Sequence, residues 1–237
     1  MLKITAPFVL TFVLFFSSCS PKMTKNEYPG LEKQQNLPFT EKHWEVFTHT
    51  FKNNLADFEK ENVELTAGKC ILKITDAKGT KKPYAAAEIR TKKKFKYGKF
   101  VVRMKAASGN GVISSFFLYK PSPDKYFEID IEFTGKNTTD VHFNHWNNGS
   151  SNVRTFPLGF DASADFHEYA MIRLPGQIRW EVDGKEIYRT SDDIPSQRMN
   201  LVLNLWPSQP NDWAGEFDSK ILPCRAEIDF VKIYSFN

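Results

Sequence analysis

Residues 127–133 read Phe-Glu-Ile-Asp-Ile-Glu-Phe, an alternation of apolar and acidic side chains. Successive side chains on a β-strand point to opposite faces of the sheet, so this pattern predicts a strand with an apolar face toward a core. The other face carries Glu128, Asp130 and Glu132. Neighbouring carboxylates repel one another and resist ionisation, which favours a catalytic row. A solvent-exposed acidic strand or a calcium-binding row is the alternative.

The chain around this segment predicts an all-β fold. Short alternating segments rich in aromatic and β-branched residues are separated by turn signals such as Gly68, Gly109-Asn110-Gly111 and Asp183-Gly184. No long stretch holds a helical period. Many short strands with frequent turns are typical of a β-sandwich or jelly roll, whose inner sheet can curve into a concave cleft. The predicted strands cover residues 63–75, 100–106, 112–118, 127–133, 141–146, 178–182, 200–205 and 228–234.

Segments on either side of the acidic strand present aromatic and amide side chains at the same two-residue period. Aromatic faces stack on sugar rings, and amides pair with hydroxyl groups, so this mixture favours a carbohydrate groove. Taken singly, each aromatic is more consistent with core packing than with sugar stacking, and only the joint pattern favours the groove. The side chains concerned are Phe117, Tyr119, His142, Asn144, Trp146, Asn204 and Trp206.

The amino-acid composition limits which classes of binding partner are expected. The 237 residues carry a net charge of +4, from 32 basic and 28 acidic side chains. This balance gives no reason to expect a nucleic acid partner, and a neutral polysaccharide fits it well. The densest basic run, residues 92–99, is expected to be a solvated sheet edge. The length suits one domain, and we expect a monomer.

The N-terminus predicts export. Lys3 precedes an apolar stretch that ends in Ser17-Ser18-Cys19, which is typical of a secretory signal peptide over residues 1–18. The small residues before Cys19 resemble a bacterial lipoprotein site, and ordinary cleavage after a small residue is the alternative. Residues 19–38 are interpreted as a flexible tether and 39–237 as the folded domain. The expected location is the bacterial cell envelope, with membrane attachment through a lipidated Cys19, or outside the cell.

Two other cysteines, Cys70 and Cys224, remain for the folded domain. An oxidising compartment would allow them to form a disulfide if they lie on neighbouring strands. Two free buried thiols are the alternative. No cysteine or histidine spacing typical of a metal site is present.

From about Val63 to its end, the chain resembles glycoside hydrolase family 16, and within it the bacterial lichenases (endo-β-1,3-1,4-glucanases). The resemblance depends on several blocks in family order, found at residues 87–90, 111–117, 128–136, 158–163, 182–184, 204–206 and 226–232. It implies a concanavalin A-like jelly roll and a retaining mechanism without a catalytic cofactor. Glu128 would be the nucleophile, Asp130 would orient it, and Glu132 would be the general acid/base.

The resemblance also implies which side chains bind the β-glucan substrate. These are Glu88, Arg90, Phe117, Tyr119, Tyr126, His142, Asn144, Trp146, Asn204 and Trp206. Family members specific for laminarin or marine galactans carry an extra residue before the final acid, which this chain lacks. The chain departs from lichenases at Tyr126-Phe127, where Trp-Asp is usual, and at His142, where Gln is common.

Asp229 matches a position that contributes to a structural calcium site in the family, and a plain surface carboxylate is the alternative. Two other functions stay open beside glucan hydrolysis. One is transglycosylation, which a labelled acceptor sugar would reveal. The other is a non-catalytic glycan-binding lipoprotein, which the complete set of acids at Glu128, Asp130 and Glu132 argues against.

Overall fold

The computed structural model describes residues 31–66, 68–77, 81–122 and 125–236. These residues form β-strands and two single-turn 3-10 helices, Lys60–Asn62 and Ser219–Ile221, and they contain no α-helix. None of their helices is long and apolar enough to cross a membrane. The strands are β1 (Leu31–Asn36), β2 (Trp44–Val46), β3 (Ala56–Phe58), β4 (Val63–Thr66), β5 (Lys69–Asp76), β6 (Tyr84–Phe95), β7 (Gly98–Lys105), β8 (Val112–Lys120), β9 (Phe127–Thr134), β10 (Asp140–Asn147), β11 (Ser150–Ser151), β12 (Arg154–Pro157), β13 (His167–Leu174), β14 (Gln177–Val182), β15 (Lys185–Thr190), β16 (Met199–Pro207) and β17 (Cys224–Phe236).

The strands form two packed layers. In one layer the hydrogen-bonded order is β2-β6-β16-β8-β9-β10, with β11 and β12 beside β10. In the other layer the order is β4-β5-β17-β7-β13-β14-β15. Nearly all pairings are antiparallel, as expected for a sandwich with short connections. The predicted all-β jelly roll is confirmed.

The alternation predicted for β9 is found in the structure. Ile129, Ile131 and Phe133 are fully buried between the layers, whereas Glu128 and Glu132 face out of the core. Side chains from the two layers meet in this core, since Phe133 of β9 lies 4.7 Å from Tyr169 of β13 between ring centroids. Burying each large apolar side chain contributes about 1.5–3 kcal/mol, so this face fixes which way the acids point.

Turn chemistry sets the register of the hairpin β14-β15. Asp183 and Gly184 both have positive φ, 49° and 77°, as a two-residue hairpin turn requires. The sequence predicts this turn correctly. It also marks Gly68 as a turn residue, and the predicted segment 63–75 is a hairpin of β4 and β5 around it.

The N-terminal boundary differs from the prediction. The signal segment 1–18 and Cys19 lie outside the described residues, and so does the first part of the predicted tether. The tether prediction is wrong from residue 31 onward, because Leu31–Asn36 forms strand β1, antiparallel to the end of β17. Leu37 and Phe39 follow it into the core with 5% and 7% exposure. The polar sequence of β1 gives no alternating apolar pattern from which a strand could be predicted. Backbone pairing at a sheet edge needs no apolar side chains.

Removal of β1 is expected to destabilise the domain. A chain that begins at Phe39 loses the β1-β17 hydrogen bonds, the bond from the Leu37 amide to the Val231 carbonyl (2.9 Å), and the buried Leu37 side chain. We expect a melting temperature roughly 5–10 °C below that of a chain beginning at Leu31, from a loss of about 2–3 kcal/mol. Thermal unfolding of both chains measures this. Equal melting temperatures would contradict a structural role for β1.

The predicted disulfide between Cys70 and Cys224 is wrong in this structure, which contains both as free buried thiols. They do lie on neighbouring strands, β5 and β17, but Cys224 pairs with Ile74 and Cys70 pairs with Ile228. The two cysteines are therefore four residues apart along the ladder, roughly 13 Å. A disulfide requires Cα atoms less than about 7 Å apart. Burial raises the pKa of both thiols, to about 11 for Cys224.

Candidate active site

Strand β9 places its three acids on the concave layer, between β8 and β10. Asp130 is the middle acid and is 2% exposed, and Glu128 and Glu132 flank it at the groove surface. Neighbouring strands are in strict register with them. Directly opposed residues share a face of the sheet, so the side chains facing the acids follow from the register. Glu128, Asp130 and Glu132 oppose Tyr119, Phe117 and Ser115 of β8, and Trp146, Asn144 and His142 of β10.

A groove of about 910 Å³ lies over these acids. All of the predicted substrate-binding side chains except His142 line it, together with the three acids. Sequence reasoning missed several further side chains, because they come from loops or from positions without a distinctive pattern. The additional lining residues are His49, Phe51, Ser115, Pro121, Ser151, Val153 and Trp213.

One wall of the groove is built on a buried carboxylate. Glu88 of β6 is 2% exposed and accepts from Arg90 Nε at 2.6 Å, while His49 Nε2 lies 3.1 Å from the same oxygen. Its second oxygen accepts from Asn204 Nδ2 at 3.3 Å, and Asn204 in turn accepts from Ser115 Oγ at 2.6 Å. Burial opposes ionisation of Glu88, but the hydrogen bond with His49 and the charge of Arg90 hold its pKa below the usual value. The network therefore holds these polar groups in fixed positions.

Aromatic side chains stand at both sides of the acids. Tyr126 and Trp146 pack with ring centroids 5.0 Å apart, and Phe51 contacts Trp206 at 4.9 Å. Among the described residues, the large apolar side chains that remain exposed are Phe51, Val153 and Trp213, and all three line this groove. Exposed aromatics concentrated at one concave surface favour a ligand with apolar faces, such as a chain of pyranose rings.

His142 is on the groove face of β10, opposite Glu132, but it is not one of the groove-lining side chains, and its role in substrate binding stays a prediction. It is 8% exposed, its ring meets the edge of Trp213 at 5.5 Å, and its Nδ1 lies 2.9 Å from Thr155 Oγ1. Burial lowers its pKa, so the imidazole beside Glu132 is neutral near pH 7. His145 is on the opposite face, against Trp180, as strand alternation predicts.

The electrostatics of the three acids favour proton transfer. Burial and mutual repulsion raise the pKa of Glu128, and burial raises that of Glu132. The pKa of Asp130 is raised well above its usual value, first by burial and then by the charges of its two neighbours. A hydrogen bond between Asp130 and Glu128 stabilises the Glu128 carboxylate, which requires the proton to be on Asp130. Burial and repulsion therefore favour retention of protons by this row near neutral pH.

These raised pKa values predict a pH-dependent cost in stability. An acid with a raised folded-state pKa contributes stability below its unfolded pKa and loses it as pH rises through the folded pKa. Glu132→Gln removes that loss. We expect its melting temperature to exceed the wild-type value by about 4–8 °C at pH 8.5, about 2 kcal/mol, and by much less at pH 5.

Thermal unfolding at the two pH values measures this difference, with Glu61→Gln as a control at an exposed position outside the groove. A gain of equal size at both pH values would contradict the assignment of a raised pKa to Glu132.

Asp229 forms an ion pair with Arg103. Its Oδ2 accepts from Arg103 Nη1 at 2.6 Å. Among the described residues, no group of three or more His, Cys, Asp and Glu side chains could hold a metal ion. A guanidinium at this distance repels a divalent cation, so the side chains around Asp229 do not fit calcium. The calcium site stays a prediction without structural support.

A two-layer sandwich with a carboxylate row and aromatic walls in its concave sheet defines a carbohydrate-active jelly roll. The model of the family described as Glycosyl hydrolases family 16 matches residues 43–232. The chain belongs to glycosyl hydrolases family 16, which confirms the family predicted from the sequence. A curated relative, "Beta-glucanase" of Acetivibrio thermocellus, is 42% identical over 181 residues, which are 75% of this chain and 54% of the relative. This chain thus spans about half the length of that relative.

Other relatives are matched over more of their length. "Beta-glucanase" of Paenibacillus macerans is 38% identical over 194 residues, covering 80% of this chain and 78% of the relative. The solved structure of a prokaryotic beta-1,3-1,4-glucanase (lichenase) derived from a mouse hindgut metagenome is 39% identical, with a TM-score of 0.80 over 86% of this chain and 99% of that chain. The structure of Bacillus licheniformis beta-glucanase is 29% identical, with a TM-score of 0.79 over 86% of this chain and 99% of that chain.

Proposed function

We propose that this chain is a retaining endo-β-glucanase that hydrolyses internal linkages of mixed-linkage β-1,3-1,4-glucan by double displacement. The observation that carries the proposal is the placement of Glu128 and Glu132 on one face of β9, on either side of Asp130, in the floor of a single groove. The names of the relatives support the substrate class. The groove is open to solvent along exposed aromatics, as an enzyme acting within a polymer requires.

The reaction follows from the two carboxyl groups. The Glu128 carboxylate attacks the anomeric carbon while protonated Glu132 gives its proton to the leaving glycosidic oxygen, and the carbon–oxygen bond breaks. The sugar is then an ester of Glu128. Esterification removes the negative charge of Glu128, so Glu132 is a carboxylate that no longer faces an anion. It takes a proton from water, the water oxygen attacks the anomeric carbon, and the ester bond breaks.

The buried network around Glu88 supports substrate binding. Arg90 and Asn204 are held by Glu88, so their remaining donors are oriented before a sugar arrives. Tyr119 lies over the same region, with its ring 5.6 Å from the Arg90 guanidinium. Preorganised donors bind hydroxyl groups without paying the entropy of ordering flexible side chains.

A substrate panel tests the proposal. Purified protein is incubated separately with barley mixed-linkage glucan, laminarin and carboxymethyl-cellulose, and the products are separated and their linkages determined. We expect short oligosaccharides from barley glucan at a rate at least tenfold above that from either other polymer, with a rapid fall in viscosity that marks internal cleavage. Release from laminarin alone would contradict the proposed specificity.

The same purified protein and glucan distinguish hydrolysis from the two alternative functions. Products longer than the starting oligosaccharide, formed in the presence of a labelled acceptor, would identify a transglycosylase. Binding to immobilised glucan without any product would identify a glycan-binding protein. Both outcomes would refute hydrolysis as the main activity.

The N-terminal sequence supports a proposal on location. Export through the signal segment 1–18 and attachment through a lipidated Cys19 would place the enzyme at the bacterial cell envelope, as a monomer beside an extracellular polymer. Fractionation of producing cells, compared with a Cys19→Ala variant, tests this. Recovery of both proteins in the membrane fraction would contradict lipidation.

A further inference from the structure

One side chain of the opposite layer makes a hydrogen bond to the acidic strand. Trp180 of β14 is fully buried, and its indole Nε1 donates to the backbone carbonyl of Asp130 at 3.0 Å. Two aromatic rings stack on the indole. It stacks on Phe143 with centroids 5.6 Å apart at 13°, and on Tyr188 at 5.5 Å and 23°. A ring packed in this way cannot turn its donor elsewhere without disrupting the core.

The carbonyl that Trp180 contacts lies at the midpoint of the site. It belongs to the peptide group between Asp130 and Ile131, and Glu128 and Glu132 lie on either side of it along β9. Because a peptide group is planar, a restraint on its oxygen restrains the orientation of both attached residues. A carbonyl has two lone pairs and can accept this bond in addition to a ladder bond.

An irregularity in the pairing of β14 with β15 lies next to this contact. The pairing of β14 with β15 shifts between Trp180 and Glu181, since Trp180 opposes Tyr188 and Glu181 opposes Glu186. The extra residue of this bulge is Ile187 of β15, because Trp180 and Glu181 are consecutive in β14 and Ile187 has no partner in the register. Trp180 therefore lies beside the bulge, where the twist of the two strands increases.

We propose that Trp180 is a positioning residue for the reaction, holding the middle of β9 so that the carboxyl groups of Glu128 and Glu132 converge on one sugar. The inference rests on the proposed function, because convergence matters only if both acids act on one bond. An error of about 1 Å in the placement of reacting groups costs roughly 10²-fold in rate. Trp180 acts on this geometry without touching the substrate.

The chain offers a matched control. Trp44 is also buried, at 2% exposure, but its Nε1 has no hydrogen-bond partner among the residues that the structure describes. Trp180→Phe and Trp44→Phe both remove part of a buried indole, and only the first removes a donor from β9. On barley glucan we expect Trp180→Phe to lower kcat by about 10–100-fold with KM within about twofold, and Trp44→Phe to lower kcat by less than about threefold.

A second variant separates the hydrogen bond from packing. Replacement of Trp180 by 3-benzothienylalanine keeps the bicyclic shape and substitutes sulfur for the N–H group. We expect a loss of kcat close to that of Trp180→Phe, with a melting temperature closer to the wild-type value. Full activity of this variant would overturn the proposal, and so would equal losses in Trp180→Phe and Trp44→Phe after correction for the folded fraction.

A readout independent of turnover completes the test. The carboxyl carbons of Glu128 and Glu132 are titrated by NMR in ¹³C-labelled protein. Separation of the two groups weakens their repulsion, so the higher of the two midpoints is expected to fall by about half a unit or more in Trp180→Phe and to stay unchanged in Trp44→Phe. The other titratable or charged groups near the pair are the same in all variants, namely Glu88, Arg90, Tyr119, Tyr126, Asp130 and His142.

Unchanged midpoints in Trp180→Phe would overturn the positioning role. If the wild-type protein hydrolyses no glucan, the proposed function fails, and the titration still decides whether Trp180 sets the distance between the acids.

Discussion

Glu128→Gln is expected to abolish glucan hydrolysis, with kcat at least about 10⁴-fold below the wild-type value. The amide has nearly the shape of the carboxylate but carries no charge and cannot form the glycosyl ester that double displacement requires. Because the variant removes one member of a repelling row, the fold should be retained, with a melting temperature at or above that of the wild type. Reducing-sugar release from barley glucan and thermal unfolding measure the two quantities.

The control is Glu61→Gln, which makes the same chemical change at an exposed position outside the groove and should keep full activity. Azide distinguishes a nucleophile from any other essential acid. In Glu128→Ala, azide can occupy the space of the missing carboxylate and attack an activated aryl β-glycoside once, giving an α-glycosyl azide. A β-glycosyl azide from this variant would show that Glu128 is not the nucleophile.

The acidic row could be predicted from the sequence because two independent patterns agree there. Strand alternation places Glu128, Asp130 and Glu132 on one face of β9. The apolar residues between them favour burial of the other face, and the structure buries Ile129 and Ile131 there. Most of the predicted lining residues follow the same rule on β6, β8, β10 and β16. Local periodicity suffices where a strand has one buried face and one polar face.

Other parts of the site depend on contacts that no local pattern encodes. His49 and Phe51 lie in the connection between β2 and β3, and the position of this segment over Glu88 and Trp206 follows from tertiary packing. Trp213 belongs to the segment after β16, lines the groove and packs against His142. In such irregular segments the chain direction changes at each residue, so a sequence gives residue types without orientations.

Register explains the two errors of the sequence interpretation. A disulfide between Cys70 and Cys224 requires only a shift of four residues between β5 and β17, and that shift is set by the whole apolar face of both strands. Strand β1 is recognised only through its partner β17, because its polar sequence could equally belong to a linker. Pairing between distant segments is therefore the information that the structure adds.

Glu132→Ala is expected to produce a loss that depends on the leaving group. On barley glucan the departing sugar oxygen needs a proton, so we expect a fall in kcat of about 10³–10⁴-fold. Dinitrophenolate departs from a dinitrophenyl β-glycoside without protonation, so the first step with this substrate should remain fast. The second step lacks a base for water, and a burst of dinitrophenolate followed by slow turnover is the expected time course.

Azide again supplies the sharper test, because as an anion it needs no general base. It should accelerate the second step of Glu132→Ala and give a β-glycosyl azide, since it attacks the glycosyl ester from the face that water normally uses. Opposite azide configurations from Glu128→Ala and Glu132→Ala would establish the two roles within one pair of experiments. Equal loss on both substrates, without a burst and without azide rescue, would show that Glu132 is not the acid/base, and the raised pKa of its buried carboxyl would then need another explanation.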